Sequence, residues 1–207
     1  MTRIAILASG NGTDCEAVLD AVERGQIRDA VVALVIADRP AGVLERARRH
    51  GIPGLLIDRR LGKAAGDVIL RSTLESSDID VIVCAGYLSV LDPATVARWR
   101  NRIINVHPSL IPAFCGHGFY GEHVHQAVLD AGVKVTGVTV HFVDEGTDTG
   151  PIILQEAVPV LDDDDAASLG ARVLEVEHRL LPQAVELCCR GRLSVDGRRV
   201  HIDKEEG

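Results

Sequence analysis

Ile4 to Ala8 is a short, continuous apolar run that passes directly into Ser9-Gly10-Asn11-Gly12-Thr13 and then into a helical pattern through Val18, Leu19 and Val22. Strand, glycine loop and helix follow one another in immediate succession. The unit is followed by more of the same alternation. Val31 to Ala37 reads as a strand, Val43 to His50 as a helix, Gly54 to Ile57 as a short strand, Ala64 to Leu74 as a helix and Ile79 to Ala85 as a fourth buried strand. A helix starting near Pro93, a residue suited to the first helical turn, leads to a fifth strand at Ile103 to His107. This pattern predicts an α/β fold with a doubly wound, mostly parallel sheet and right-handed crossovers. The ligand crevice of such a sheet lies beyond the carboxyl ends of its strands, and the glycine loop, Ala85 to Leu91 and Asn105 to His107 all fall there.

The second part of the chain differs. Pro112 to Gly121 is loop-like, and Glu122 to Ala131 is helical. Val135 to Val143 alternates, with Val138, Val140 and Phe142 on one face and Thr139, His141 and Val143 on the other; Ile152 to Val160 is a further strand. The loop between them, residues 144–151, is longer than usual for a hairpin and rich in acids and glycines, a feature of functional loops. Asp162 to Asp165 tempts a Ca²⁺ reading, but without EF-hand spacing its expected role is negative charge at the start of a helix near Ala166. That helix runs to about Arg190, with Pro182 expected to kink or break it. Leu193 to Ile202 carries Asp196-Gly197, a two-residue hairpin signal.

Several residue sets carry chemistry. Asn105 and His107 stand two apart at a strand end, so their side chains share a face and place an amide donor beside an imidazole. Pro108 stops the strand there. The glycine loop at a helix N-terminus suits a phosphate, although Gly-x-Gly also serves as a plain tight turn and is neither a dinucleotide fingerprint nor a P-loop. Cys115, between His107 and His117, lacks an acid or second cysteine to complete a ligand set and reads as a cysteine packed against Phe114 and Phe119. His123 and His125 would not share a helical face, so they read as substrate-lining or surface residues rather than a metal pair.

Composition narrows the partners. A net charge of −8 and 3% aromatic residues disfavour phosphate-backbone and base-stacking contacts, so no nucleic acid is expected. Five cysteines without CxxC spacing suggest neither a disulfide framework nor a zinc site and fit a reducing, cytoplasmic setting. No apolar run approaches ~18 residues, so no membrane partner is expected either. At 207 residues a single domain is expected.

Five segments resemble the phosphoribosylglycinamide formyltransferase family: Ser-Gly-Asn-Gly-Thr at 9–13, Ala-Gly-Tyr-Leu at 85–88, Asn-Val-His-Pro-Ser-Leu-Ile-Pro at 105–112, Val-His-Phe-Val-Asp-Glu at 140–145 and Thr-Asp-Thr-Gly-Pro-Ile-Ile at 147–153. Glu177-His178 adds a sixth match. The resemblance implies a Rossmann-like formyltransferase domain over 1–207. In it, residues 1–107 form the phosphate-binding half, and 108–207 complete the folate and catalytic site and add the C-terminal helix and hairpin. It implies transfer of the formyl group of 10-formyltetrahydrofolate to glycinamide ribonucleotide in purine biosynthesis, with Asn105, His107 and Asp148 catalytic. Gly12, Thr13 and Asp14 would meet the ribonucleotide phosphate, with Glu177 near the glycinamide end. Arg60, Leu88, Ser89, Val90 and Leu91, with Asn105, would line the folate pocket. No metal is expected, and a homodimer is allowed.

On this reading Asp148 raises the pKa of His107, whose protonated ring then donates to the formyl oxyanion beside Asn105. Position 14 is Asp where the family usually has Asn, and a carboxylate there should repel a phosphate unless it turns away to cap the helix. Ser89 stands where many members have Arg. The alternatives are a formyltetrahydrofolate hydrolase sharing the Asn, His and Asp core, and a non-catalytic folate-binding protein. A methionyl-tRNA formyltransferase would be expected to carry an extra domain and a basic surface.

Overall fold

The computed structural model describes residues 1–58 and 62–204, so Arg60 lies outside the described residues. Five strands, β1 (Thr2–Ala8), β2 (Ala30–Ala37), β3 (Gly54–Leu56), β4 (Val81–Cys84) and β5 (Ile103–His107), alternate with α1 (Thr13–Glu23), α2 (Val43–Arg49), α3 (Lys63–Ser76) and α4 (Pro93–Arg98). Then come α5 (Glu122–Asp130), β6 (Val135–Phe142), β7 (Ile152–Pro159), α6 (Ala166–Cys189), β8 (Leu193–Asp196) and β9 (Arg199–Ile202). All nine strands join one sheet in the order β3-β2-β1-β4-β5-β6-β7-β9-β8. The first five pair in parallel; β6 and β7 add antiparallel, and β8 pairs antiparallel with β9 at the far edge.

The parallel strands are apolar at nearly every position because both sheet faces are covered. Alternate residues feed two cores. Ile4, Ile6, Val83 and Ile104 pack with Val18 of α1 and Leu181 of α6, while Ala5, Leu7, Ile82 and Ile103 pack with Leu70 and Leu74 of α3 and with Trp99. Each such valine, leucine or isoleucine, fully buried, stabilises the fold by about 1.5–3 kcal/mol. Trp99 also donates its indole N–H to the Ile79 carbonyl at 2.8 Å, so its one polar atom is satisfied within the core. Order reverses between β1 and β4, and the loops leaving these two strands are the glycine loop and the segment after Cys84. That reversal is the switch point where doubly wound sheets open a crevice.

Asp165 caps α6, accepting from Ser168 N–H while the Ser168 hydroxyl accepts from Asp165 N–H, so the acidic run does start the helix as expected. Two local expectations fail. Pro182 lies inside α6 without breaking it; the helix is continuous, and Leu180, Leu181, Ala184 and Val185 around the proline are buried, so packing outweighs one missing hydrogen bond. The C-terminal hairpin turns one residue later than the Asp-Gly signal suggested. Asp196 pairs with Arg199, which leaves Gly197-Arg198 as the two-residue turn, with Gly197 at φ 58° in its first position. In β6 both faces are buried, because residues 109–113 cover the side opposite the core. Gly137 permits this, since a Cβ there would stand 2.6 Å from Leu110 Cδ2 and 2.1 Å from the Glu156 carbonyl.

Candidate active site

β5 ends at the crevice with Asn105 and His107 on one face, flanked by β4 and β6. In the β5–β6 register Asn105 stands opposite His141 and His107 opposite Thr139. Asn105 Nδ2 lies 3.1 Å from His141 Nε2, while His141 Nδ1 lies 2.8 Å from the Phe142 carbonyl. A carbonyl only accepts, so the His141 proton sits on Nδ1 and Nε2 accepts from the Asn105 amide. One N–H of Asn105 is thereby fixed and the other remains for a ligand. By the same reasoning His107 Nε2 donates to the Phe114 carbonyl at 2.9 Å, which leaves Nδ1 as the bare nitrogen, 3.7 Å from Asp148 Oδ2. Ser109 also donates to that carbonyl, at 3.2 Å, and Thr139 anchors the turn through the Ser109 carbonyl and Ile111 N–H.

Asp148 sits in the left-handed region at φ 57°, an uncommon backbone position for a non-glycine residue. Its Oδ2 accepts from Gly116 N–H at 2.8 Å, and its Oδ1 lies 3.7 Å from His141 Nε2. The loop that presents it is braced by Asp144, which accepts from Gly146 N–H and the Thr149 hydroxyl. Gly150 allows the chain to turn back: a Cβ there would lie 1.8 Å from the Phe142 carbonyl oxygen. Burial raises the Asp148 carboxyl, but His141, Gly116 N–H and His107 together outweigh it and hold the group below the usual carboxylate range.

His107 departs from the sequence reading. Burial, at 4% exposure, pushes its pKa down; the Phe114 carbonyl and the Asp148 charge push up as expected, yet burial prevails. The resting ring is neutral near pH 7 rather than poised as a cation.

In front of these groups lies a cavity of about 550 Å³ lined by residues 86–91, 105–108, 116–121 and 143–148, with Cys84, Val96 and His141. Leu88, Ser89, Val90 and Leu91 all line it, and Leu88 and Val90 present apolar surface to solvent. The 114–121 wall is held by an edge-on contact of Phe114 with Phe119 and of Tyr120 with His123. Cys115 donates its thiol to the Pro112 carbonyl, and burial, then the Asp148 charge, push that thiol up, away from nucleophilic use. His125 does not face the cavity, contrary to expectation. It is buried against α6, where a Cβ on Gly170 would come within 3.0 Å of its ring; the apolar face of α5, with Val124 and Val128, carries it inward.

The glycine loop adjoins this cavity. Ser9 N–H donates to the Gly86 carbonyl at 3.0 Å and Leu88 N–H to Ser9 Oγ at 2.8 Å. Gly12, at φ 75°, leads into α1 with no side-chain cap, and a Cβ there would lie 2.5 Å from Val43 Cγ2. Asp14 does not cap the helix. It sits within the first turn and directs its carboxylate to α6, with Oδ1 3.7 Å from His178 Nε2 and Glu177 alongside. Neither Asp14 Oδ1 nor His178 Nε2 has a hydrogen-bond partner among the described residues. Burial raises the Asp14 carboxyl against the opposing pull of His178; burial and then the Asp14 charge raise Glu177 well above its ordinary value. Two acids this close and this dry do not both ionise near neutral pH.

Residues 2–185 match the family model described as formyl transferase. The chain belongs to the formyl transferase family. Among similar proteins, the trifunctional purine biosynthetic protein adenosine-3 of Drosophila melanogaster is 42% identical over 91% of this chain, which spans 14% of that protein's length. The phosphoribosylglycinamide formyltransferase of Bacillus subtilis is 36% identical over 90% of this chain and 94% of its own. A crystal structure of glycinamide ribonucleotide transformylase 1 from Symbiobacterium toebii superposes with a TM-score of 0.93 at 44% identity, covering 99% of this chain and 95% of that one.

In this formyl transferase family member the residues singled out from sequence fall into two groups. Asn105, His107 and Asp148 meet at the cavity, with Leu88 to Leu91 on its wall; Asp14 and Glu177 meet where α1 packs on α6, with Gly12 and Thr13 at the start of α1. Two participants had not been named as site residues. His141, assigned only to a strand face, orients Asn105, and His178, quoted only within a motif, faces Asp14. The His141 contact had a cross-strand signal, since residues 103–107 and 135–143 were both read as strands; the His178 contact had none, because it depends on helix packing. Among the described residues, Glu16, Asp20 and His50 bring metal-type ligand atoms within 4.8 Å of one another on the outer side of α1, but Arg46 already pairs with Glu16 at 3.1 Å. No helix of the described residues is long and apolar enough to cross a membrane.

Proposed function

We propose that the chain transfers the formyl group of 10-formyltetrahydrofolate to the amine of glycinamide ribonucleotide. The observation that carries this reading is the meeting of one unspent Asn105 N–H, the bare Nδ1 of His107 and the Asp148 carboxylate at one end of a cavity large enough for a pterin. The family match and the likeness to proteins named for this reaction support it.

In the scheme we favour, the substrate amine attacks the formyl carbon and the carbonyl electrons move onto oxygen, where the Asn105 N–H stabilises the oxyanion. His107 Nδ1 takes the proton of the attacking amine, directly or through a water held by Asp148. The imidazolium so formed is stabilised by the Asp148 charge, donates to the oxyanion, and then delivers its proton to the folate nitrogen as the carbon–nitrogen bond breaks. A neutral resting histidine suits this order better than the protonated one expected from sequence. No step calls on a metal ion or a covalent enzyme intermediate. Arg60 and residues 88–91 serve the folate side, and Gly12 and Thr13 the ribonucleotide phosphate. Burial raises both Asp14 and Glu177, and the Asp14 charge raises Glu177 further, so Glu177 holds the proton of the pair and can donate it to the ribonucleotide, which offsets the repulsion the Asp14 charge would cause. We keep the division into residues 1–107, which carry the phosphate loop, and 108–207, which complete the site with Asp148, His141 and Glu177.

The test is acceptor dependence. Tetrahydrofolate should be released from the formyl donor only when glycinamide ribonucleotide is present. Equal release without it would sink the transferase reading in favour of a hydrolase.

A further inference from the structure

Asp38 follows β2 directly and is only 2% exposed, yet no step of the proposed reaction uses it. A carboxylate at that depth persists as an anion only if it is paired and hydrogen-bonded. Arg39 supplies both, with Nε 3.0 Å from Oδ1 and Nη2 3.2 Å from Oδ2, while keeping half of its own side chain in solvent. Burial raises the Asp38 carboxyl, but bonds from Arg39, Ser89 and Ser9 outweigh it and hold the group below the usual carboxylate range.

The other two partners come from different loops. The Ser89 hydroxyl, on the segment after β4, donates to Asp38 Oδ2 at 2.5 Å. The Ser9 side chain, on the loop after β1, helps lower the Asp38 carboxyl, and its oxygen accepts from Leu88 N–H at 2.8 Å. Ser9 N–H to the Gly86 carbonyl closes the same circuit through the backbone. Asp38 thus ties the carboxyl end of β2 to that of β4 through Ser89, and Ser9, bonded to Gly86 and Leu88, brings the end of β1 to the same place, at the switch point of the sheet. Charge-assisted hydrogen bonds are about twice as strong as neutral ones, which suits a group that must hold two loops at once.

We propose that Asp38 is a positioning residue: it clamps the glycine loop to the 86–91 segment and so fixes the acceptor side and the donor side of the site relative to each other. The assignment of those sides rests on the proposed function. The clamp itself does not, because it lies in the apoprotein.

Asp38→Asn keeps the shape and removes the charge. The Leu88 amide, measured by hydrogen exchange in the free protein, should exchange faster. The KM values for both 10-formyltetrahydrofolate and glycinamide ribonucleotide should rise about tenfold with kcat within about threefold, since misplacement is corrected in the fully bound state. Ser89→Ala cuts one arm and should raise the donor KM more than the acceptor KM, whereas Ser89→Thr retains a hydroxyl and should restore it. Unchanged exchange with unchanged KM values in folded Asp38→Asn would overturn the clamp, as would a fall in kcat alone. Should Asp38→Asn fail to fold, the Ser89→Ala and Ser89→Thr pair decides by the same readouts. A wild-type protein that transfers no formyl group would end the functional assignment while the Leu88 exchange still judged the clamp.

Discussion

Replacing Asp148 by Asn removes the charge that the account assigns to stabilising the His107 imidazolium. Asp148 Oδ2 lies 3.7 Å from His107 Nδ1, and at an effective dielectric near 20 a pair of unit charges at that separation interacts by about 4 kcal/mol. The Asp148 side chain is 13% exposed, so solvent screens only part of this. An asparagine retains an oxygen for Gly116 N–H and can still orient a water, so the expected loss is about 2–4 kcal/mol, or about 30-fold to 10³-fold in kcat. The sign is fixed by the electrostatics: burial already depresses the His107 pKa, Asp148 opposes that depression, and removing Asp148 lowers the pKa further. Steady-state kcat at pH 7 and a histidine NMR titration of wild type and Asp148→Asn read the two consequences separately. An unmoved His107 titration, or a fall in kcat below about threefold, would show that the charge is not coupled to the ring as claimed.

Other perturbations test neighbouring parts. Asn105→Ala removes the oxyanion donor and should lower kcat by about 10² to 10³; His141→Ala, which frees the Asn105 amide to rotate and takes a neighbour from Asp148 but removes no group that touches the formyl oxygen, should cost less than that in the same assay. If Glu177 holds the proton of the Asp14–Glu177 pair, calorimetric affinity for the ribonucleotide should fall as pH rises and the pair loses it, while Asp14→Asn removes one of the two charges and binds more tightly at pH 8. An Asp14→Asn affinity equal to wild type at pH 8 would place the repelling charge elsewhere. His50 bonds Glu23 at 2.5 Å and lies 3.3 Å from Glu16, contacts that raise its pKa above 6.5, the Glu23 bond contributing most. Stability from this group is fully present below pH 6.5 and is lost as pH rises through the raised value. His50→Gln should therefore lower Tm by roughly 2–4 °C more at pH 6 than at pH 9, read by thermal melts at both.

Much of the fold was legible because its determinants are local. Continuous apolar runs marked β1, β2 and β4, Pro93 and Asp165 marked helix starts, and the carboxyl ends of β1, β4 and β5 pointed to one edge. The strand end at Asn105 and His107 could be read for the same reason, since two-residue spacing fixes a shared face. What was hidden depends on tertiary packing. Burial outweighs the upward pull of Asp148 on His107, and the depth of a strand end cannot be read from its own residues. Asp14 meets His178 and Glu177 only because α1 packs on α6, so a charge that looked merely repulsive in sequence faces a histidine and raises a neighbouring acid that the sequence does not place beside it. Pro182 survives inside α6 and His125 turns inward on α5 because buried neighbours on the same faces outweigh each residue's own preference. Asp38 carried no signal at all, since its partners Ser9 and Ser89 come from two other loops.

The central claim is direct formyl transfer between two small molecules. Donor labelled with ¹³C in the formyl group, incubated with the protein and glycinamide ribonucleotide and followed by NMR, should give a formamide carbon on the ribonucleotide, with none in His107→Ala over the same period. Label appearing as free formate at the same rate with or without the ribonucleotide would contradict the account.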